Sequence, residues 1–94
     1  MLPIQQSKSV LTMSSQEISA LVNSRHDSVK RSVERLASLG TIQLPPLVEV
    51  KNGSGQTVEV YMIGKRDSYI VVAQLSPEFT AALVDRWQEL ESSN

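Results

Sequence analysis

The chain has 94 residues, enough for one domain with a modest core. A hydrophobic content of 40% excludes a disordered chain, and aromatics at 4% require a core built from Leu, Val and Ile. The absence of cysteine removes disulfides, thiolate nucleophiles and zinc–thiolate sites, and no apolar run approaches the roughly 20 residues that span a bilayer.

Net charge is −1, but it is unevenly spread. From Ser24 to Arg66, seven cations (Arg25, Lys30, Arg31, Arg35, Lys51, Lys65, Arg66) face four anions (Asp27, Glu34, Glu49, Glu59). From Asp67 onward, Arg86 stands alone against Asp67, Glu78, Asp85, Glu89 and Glu91. Such asymmetry points to a nucleic-acid surface on one side and an acidic region elsewhere.

Along the chain, Met1 to Lys8 lacks the charged start and apolar stretch of a signal peptide. Ser9 to Met13 is β-compatible and predicts a short strand over 9–13. Ser14 followed by Glu17 has the capping-box spacing: the hydroxyl takes an orphan backbone N–H and the carboxylate reaches back. Ile18, Leu21 and Val22 give this first helix one apolar face, and Asn23-Ser24-Arg25 breaks it. The next helix is predicted from about His26 to Leu39. Val29, Val33 and Leu36 share one side at 100° per residue, with Ala37 beside them. Asp27, Lys30, Arg31, Glu34, Arg35 and Ser38 fall on the other side, and Gly40 supplies a left-handed stop. Two short helices and a tight turn, the second cationic outward, form the helix-turn-helix pattern over 14–39.

A β-hairpin over 46–63 follows. Leu47–Lys51 and Thr57–Ile63 are rich in β-branched residues, and Asn52-Gly53-Ser54-Gly55 turns between them. A hairpin directly after such a second helix is a wing. Ser68 to Leu75 reads equally as strand or helix, with Asp67 available as a cap. The final helix takes Ser76 as N-cap and Pro77 as its first residue, and Phe79, Leu83, Trp87 and Leu90 recur at helical spacing as core or dimer residues. Ser92-Ser93-Asn94 is expected to fray. The expected architecture is α+β: one domain over 1–94, a winged helix-turn-helix with C-terminal helices over 67–91.

In that architecture the second helix enters the major groove with its first turns at the base edges. Arg25 or Arg31 would reach guanine; Ser24, Ser28 and Lys30 suit phosphates; His26, Asp27 and Arg35 complete the candidate surface. Lys51 and Asn52 at the wing tip, and Lys65 and Arg66 after it, are candidate secondary contacts. The competing reading makes Arg31 and Arg35 ion-pair partners of Asp27 and Glu34. The lone histidine, His26, fits packing or capping better than catalysis or metal binding, and no nucleophile–base–orienter set can be assembled. Neither a catalytic residue nor a metal or cofactor is expected.

Residues Ser14 to Leu36 resemble the phage regulatory protein Rha family. The Ser/Thr-Ser-x-Glu-Ile start falls on Ser14, Ser15, Glu17 and Ile18, and the Arg/Lys-His-x-x-Val motif on Arg25, His26 and Val29. The stretch from Lys65-Arg66-Asp67-Ser68 through Ser76-Pro77-Glu78-Phe79 to Arg86–Glu91 resembles a segment of related phage antirepressors. Ser19 stands where Ala is commoner, and Asn23-Ser24 replaces the Gly that helix-turn-helix turns favour. The resemblance implies a helix for Ser68–Leu75 and regulation of phage genes in the cytoplasm of a bacterial host. It implies duplex DNA as partner or, as the alternative, a phage repressor protein gripped by an antirepressor, for which the acidic C-terminal helix is suited. A homodimer through the helix from Pro77 to Glu91 would let a DNA-binding form read two half-sites.

Overall fold

The computed structural model describes residues 11–92. Ser9 and Val10 of the predicted strand, the Met1–Lys8 segment, and Ser93 and Asn94 of the tail lie outside the described residues. Element order is β1 (Thr12–Ser14), α1 (Ser15–Leu21), α2 (His26–Ser38), β2 (Leu47–Lys51), β3 (Thr57–Gly64), α3 (Lys65–Leu75), a 3-10 turn (Pro77–Phe79) and α4 (Thr80–Ser92). The class is α+β. The described residues hold four α-helices and one antiparallel sheet of order β1-β3-β2, so the long strand β3 is central.

Strand β1 runs to Ser14, one residue further than expected, and pairs Thr12 with Gly64 and Ser14 with Met62. Ser14 then caps α1: its Oγ accepts the N–H of Glu17 at 3.0 Å. The reciprocal half of the capping box is replaced. The Glu17 carboxylate instead accepts from Arg86 Nε at 2.5 Å, tying α1 to α4. A charged partner outcompetes a neutral backbone donor for a carboxylate.

Both helices of the α1–α2 pair end in a Schellman motif. After α1, Ser24 N–H bonds Ser19 O and Asn23 N–H bonds Ala20 O, with Asn23 at φ 54°. Asparagine thus takes the left-handed position that glycine would fill, since its short polar side chain tolerates that region. After α2, Thr41 N–H bonds Leu36 O, Gly40 N–H bonds Ala37 O, and Gly40 sits at φ 79°. Helix α2 buries Val29, Val33 and Leu36, the stripe its sequence marks out.

The hairpin pairs Leu47 with Tyr61, Glu49 with Glu59 and Lys51 with Thr57. Asn52 builds its turn: Oδ1 accepts the N–H groups of Ser54 and Gln56, and its own N–H bonds Gln56 O. The ambiguous segment is helical and longer than expected. It starts at Lys65 with Gly64, not Asp67, in the cap position, because β3 continues to Gly64 and the helix begins directly from it. The last segment is likewise two pieces. Ser76 and Pro77 open the 3-10 turn, where Ser76 makes no side-chain cap bond, and α4 starts at Thr80.

The core is aliphatic as composition requires, with Trp87 and Tyr61 added. Trp87 is a core residue. Its Nε1 donates to the buried Ser68 Oγ at 2.8 Å, and Ser68 Oγ donates to Lys65 O. Phe79 and Leu90 pack against that core from its margin. No helix among the described residues is long and apolar enough to cross a membrane.

Candidate nucleic-acid interface

The site is built where β1 gives way to α1. In an antiparallel pair the edge strand supplies acceptors to every second N–H of its neighbour. Strand β1 stops at Ser14, opposite Met62, so the buried N–H of Tyr61 has no strand carbonyl beyond it. Ser15 Oγ fills that role, accepting from Tyr61 N–H at 3.0 Å, and lies 2.8 Å from His26 Nε2. One hydroxyl, fully buried, therefore joins the start of α1, the first residue of α2 and the middle of β3.

Ser15 Oγ and His26 Nε2 share one hydrogen bond, in which either atom can be the donor. The His26 pKa lies below the usual value, chiefly through burial and secondarily through the Lys30 charge, against an opposing pull from Asp27. A cationic ring at a helix N-terminus is also disfavoured by the helix dipole.

A second link runs across the same space. Tyr61 Oη donates to Glu34 Oε2 at 2.6 Å, so the sheet grips α2 midway along its length. That bond to a carboxylate, reinforced by burial and by the charges of Glu34 and Glu59, pushes the Tyr61 phenol up to about 12. Ser24 Oγ lies 3.4 Å from Ser76 Oγ, tying the α1–α2 turn to the end of α3. Helix α2 is thus fixed at its start, at Glu34 and along its apolar stripe, which leaves its remaining face outward.

That outward face carries the cations. Arg25, Arg31 and Arg35 are exposed and Lys30 is half-buried. Among the described residues none of them has a carboxylate within ion-pair distance. The ion-pair reading of Arg31 and Arg35 therefore fails: Glu34 is turned to Tyr61, and Asp27 pairs with neither. Asp27 is exposed and Ser28 half-buried on the first turn of α2. His26 is half-buried and directs Nε2 inward to Ser15.

The remaining candidates do not gather on this face. Lys51 is exposed near the hairpin tip, beside Asn52, whose Oδ1 is spent within the turn. Lys65 and Arg66 sit at the far end of β3, where Lys65 Nζ meets Glu91 at 2.7 Å and Arg66 meets Asp67 at 2.8 Å. From Thr57 to Gly64 at about 3.3 Å per residue, tip and base stand roughly 23 Å apart. Ion pairs thus occupy Lys65, Arg66 and Arg86 from the later part of the chain, and leave the cations of α2 and the hairpin uncompensated.

Sequence reasoning missed Ser15, Tyr61 and Glu34. The first two look like an ordinary helix-start hydroxyl and an ordinary strand aromatic; only the sheet register makes them partners of α2. No group of His, Cys, Asp or Glu among the described residues could hold a metal ion. A cleft of about 310 Å³ is lined by apolar Leu44, Pro46 and Met62 with Thr12, Gln43 and Asp67, and its one carboxylate already pairs with Arg66.

Residues 13–92 match the family model for phage regulatory protein Rha. The chain belongs to the phage regulatory protein Rha family. No curated protein and no solved structure matches it. The matched span runs from β1 through the whole of α4, so the sheet, the α1–α2 pair and the C-terminal helices all belong to the family's pattern. A phage regulator is what this membership indicates.

Proposed function

We propose that this Rha-family chain is a single winged helix-turn-helix domain that regulates phage genes by binding duplex DNA, with α2 in the major groove and the β2–β3 hairpin as the wing. The observation that carries the reading is the outward face of α2, where Arg25, Lys30, Arg31 and Arg35 have no ion-pair partner among the described residues while its apolar stripe and Glu34 hold it to the body. The element order supports it as well: a short strand, two helices about a tight turn, then a hairpin whose second strand pairs back to the first.

In this reading Arg31 or Arg25 reads guanine through paired hydrogen bonds, while Lys30, Arg35 and Ser28 meet phosphates. Lys51 is the wing's phosphate contact. Ser24 and His26 orient α2, and Lys65 and Arg66 stabilise the body through their carboxylate partners. The repressor-binding alternative draws on the acidic α4. It ranks second because Lys65 and Arg86 neutralise Glu91 and Glu89.

Selection of bound duplexes from random DNA at two salt concentrations tests the proposal. A defined motif should emerge, and affinity should fall steeply with salt as phosphate counterions are released. Arg31→Ala should cost about 1–3 kcal/mol at the base it reads. No duplex retained at low salt, or unchanged affinity in both Arg25→Ala and Arg31→Ala, would remove α2 from the mechanism. Capture of a phage repressor by a chain that retains no duplex would move the function to the second reading.

A further inference from the structure

Helix α4 turns its large apolar residues inward, with Leu83 and Trp87 fully buried. The exposed large hydrophobic residues among those described are Leu39, Leu44, Leu47 and Val48, of which the last two lie on β2. Strand β2 is an edge: among the described residues it pairs with β3 alone.

Its outward backbone groups can be assigned. Met62 N–H bonds Pro46 O and Asn52 N–H bonds Gln56 O, so the even-numbered residues of this segment bond toward β3. By strand alternation Leu47, Glu49 and Lys51 direct their N–H and C=O groups away from the sheet. The side chains on the edge also carry an unrelieved conflict. Glu49 lies directly opposite Glu59 in the register, both are exposed, and neither has a cation within ion-pair distance among the described residues. Like charges placed opposite one another destabilise a sheet.

We propose that two copies of this chain join edge to edge through β2, antiparallel, about a two-fold axis at Val50. Charge selects that register from those the outward groups permit. An axis at Glu49 would set the two Glu49 carboxylates against each other, and an axis at Val48 would set Glu49 against the partner's Leu47. The axis at Val50 sets each Glu49 against the partner's Lys51, with both residues exchanging backbone hydrogen bonds. The row across one face then reads Glu59, Glu49, the partner's Lys51 and the partner's Thr57, so the uncompensated carboxylates gain a cation. On the other face Val58 and Val50 meet the partner's Val50 and Val58.

Lysine on an edge normally discourages pairing with arbitrary strands. Beside Glu49 it instead discriminates in favour of a copy of itself. The axis stands perpendicular to the sheet, so both α2 helices lie on the same side of one continuous sheet. This pairing does not rest on DNA binding, and its tests use no DNA; in the dimer Lys51 meets the partner's Glu49 in place of the phosphate contact proposed for the wing.

Sedimentation of the 94-residue chain from micromolar to millimolar concentration should show a monomer–dimer equilibrium. Glu49→Lys alone and Lys51→Glu alone each turn both attractive pairs repulsive, and each should raise the dissociation constant at least about ten-fold. An equimolar mixture of these two variants restores every opposition and should form the heterodimer, as the double swap Glu49→Lys/Lys51→Glu should form its own dimer. Val50→Cys, in a chain with no other cysteine, should oxidise to a covalent dimer, because non-hydrogen-bonded antiparallel partners lie about 4.5 Å apart at Cα, within disulfide reach. A wild-type chain monomeric throughout the range, a dimer indifferent to Glu49→Lys, or a mixture no more dimeric than its components would each overturn the proposal.

Discussion

Replacing Ser15 with alanine is the sharpest test of how this fold holds α2. The substitution removes one oxygen and leaves the helix backbone intact. It strands the Tyr61 N–H, whose residue is 5% exposed, and deprives His26 Nε2 of its partner. An unsatisfied buried donor costs about 1–3 kcal/mol and a lost hydrogen bond about 1 more, so the expected loss is about 2–4 kcal/mol. In a domain of this size each kcal/mol lowers the melting temperature by about 4–8 °C, which predicts a fall on the order of 10–30 °C. Urea unfolding and thermal melts followed by circular dichroism would measure it. Ser19→Ala serves as the control: that hydroxyl is also largely buried but bonds only Gln16 O within its own helix, so about 0.5–1 kcal/mol is expected. Stability also depends on pH. The folded pKa of His26 is lowered from 6.5, so the unfolded chain takes up the proton more readily. Stability from this group is therefore complete above about pH 6.5 and is lost as pH falls through the folded value. Burial and the Lys30 charge set that shift, so the dependence should persist in Ser15→Ala. Equal stabilities for Ser15→Ala and Ser19→Ala would refute the Ser15 bridge.

Asn23 at φ 54° predicts that Asn23→Ala costs about 1 kcal/mol while Asn23→Gly is near neutral, read as shifts in the urea midpoint. Ser68→Ala leaves the buried Trp87 indole N–H without its acceptor; about 1–3 kcal/mol should be lost, reported by fluorescence of the chain's one tryptophan. The Tyr61 phenol, raised from 10.0 to about 12 by its bond to Glu34, favours the neutral form in the fold. Its contribution is present below pH 10 and lost as pH rises toward 12, so alkaline unfolding monitored through tyrosinate absorbance should be less pH-dependent in Tyr61→Phe. Tyrosinate formation at pH 10 by Tyr61 in the native chain would contradict the Glu34 bond.

Much of the local structure is legible in the amino-acid order because it follows from local physics. The Val29, Val33 and Leu36 stripe, the Gly40 stop, the hairpin about Asn52 and the cap at Ser14 each depend on residues within a few positions of one another. Solvation places Arg25, Arg31 and Arg35 outward for the same reason: the opposite side of an amphipathic helix faces water. Which cations keep their charge unpaired is a different matter. The pairing of Lys65 with Glu91 and of Arg86 with Glu17 joins residues far apart in the chain, and no periodicity announces it. Ser15 acquires its role only because β1 ends one residue earlier, opposite Met62. Short-range propensity and burial periodicity thus determined the first two helices, the hairpin and the cationic face of α2, but not the state of Ser68–Leu75. Tertiary packing decided the anchoring of α2, the contact of His26 with Ser15 and the edge position of β2, because those depend on donors and acceptors that meet only once the sheet register is set.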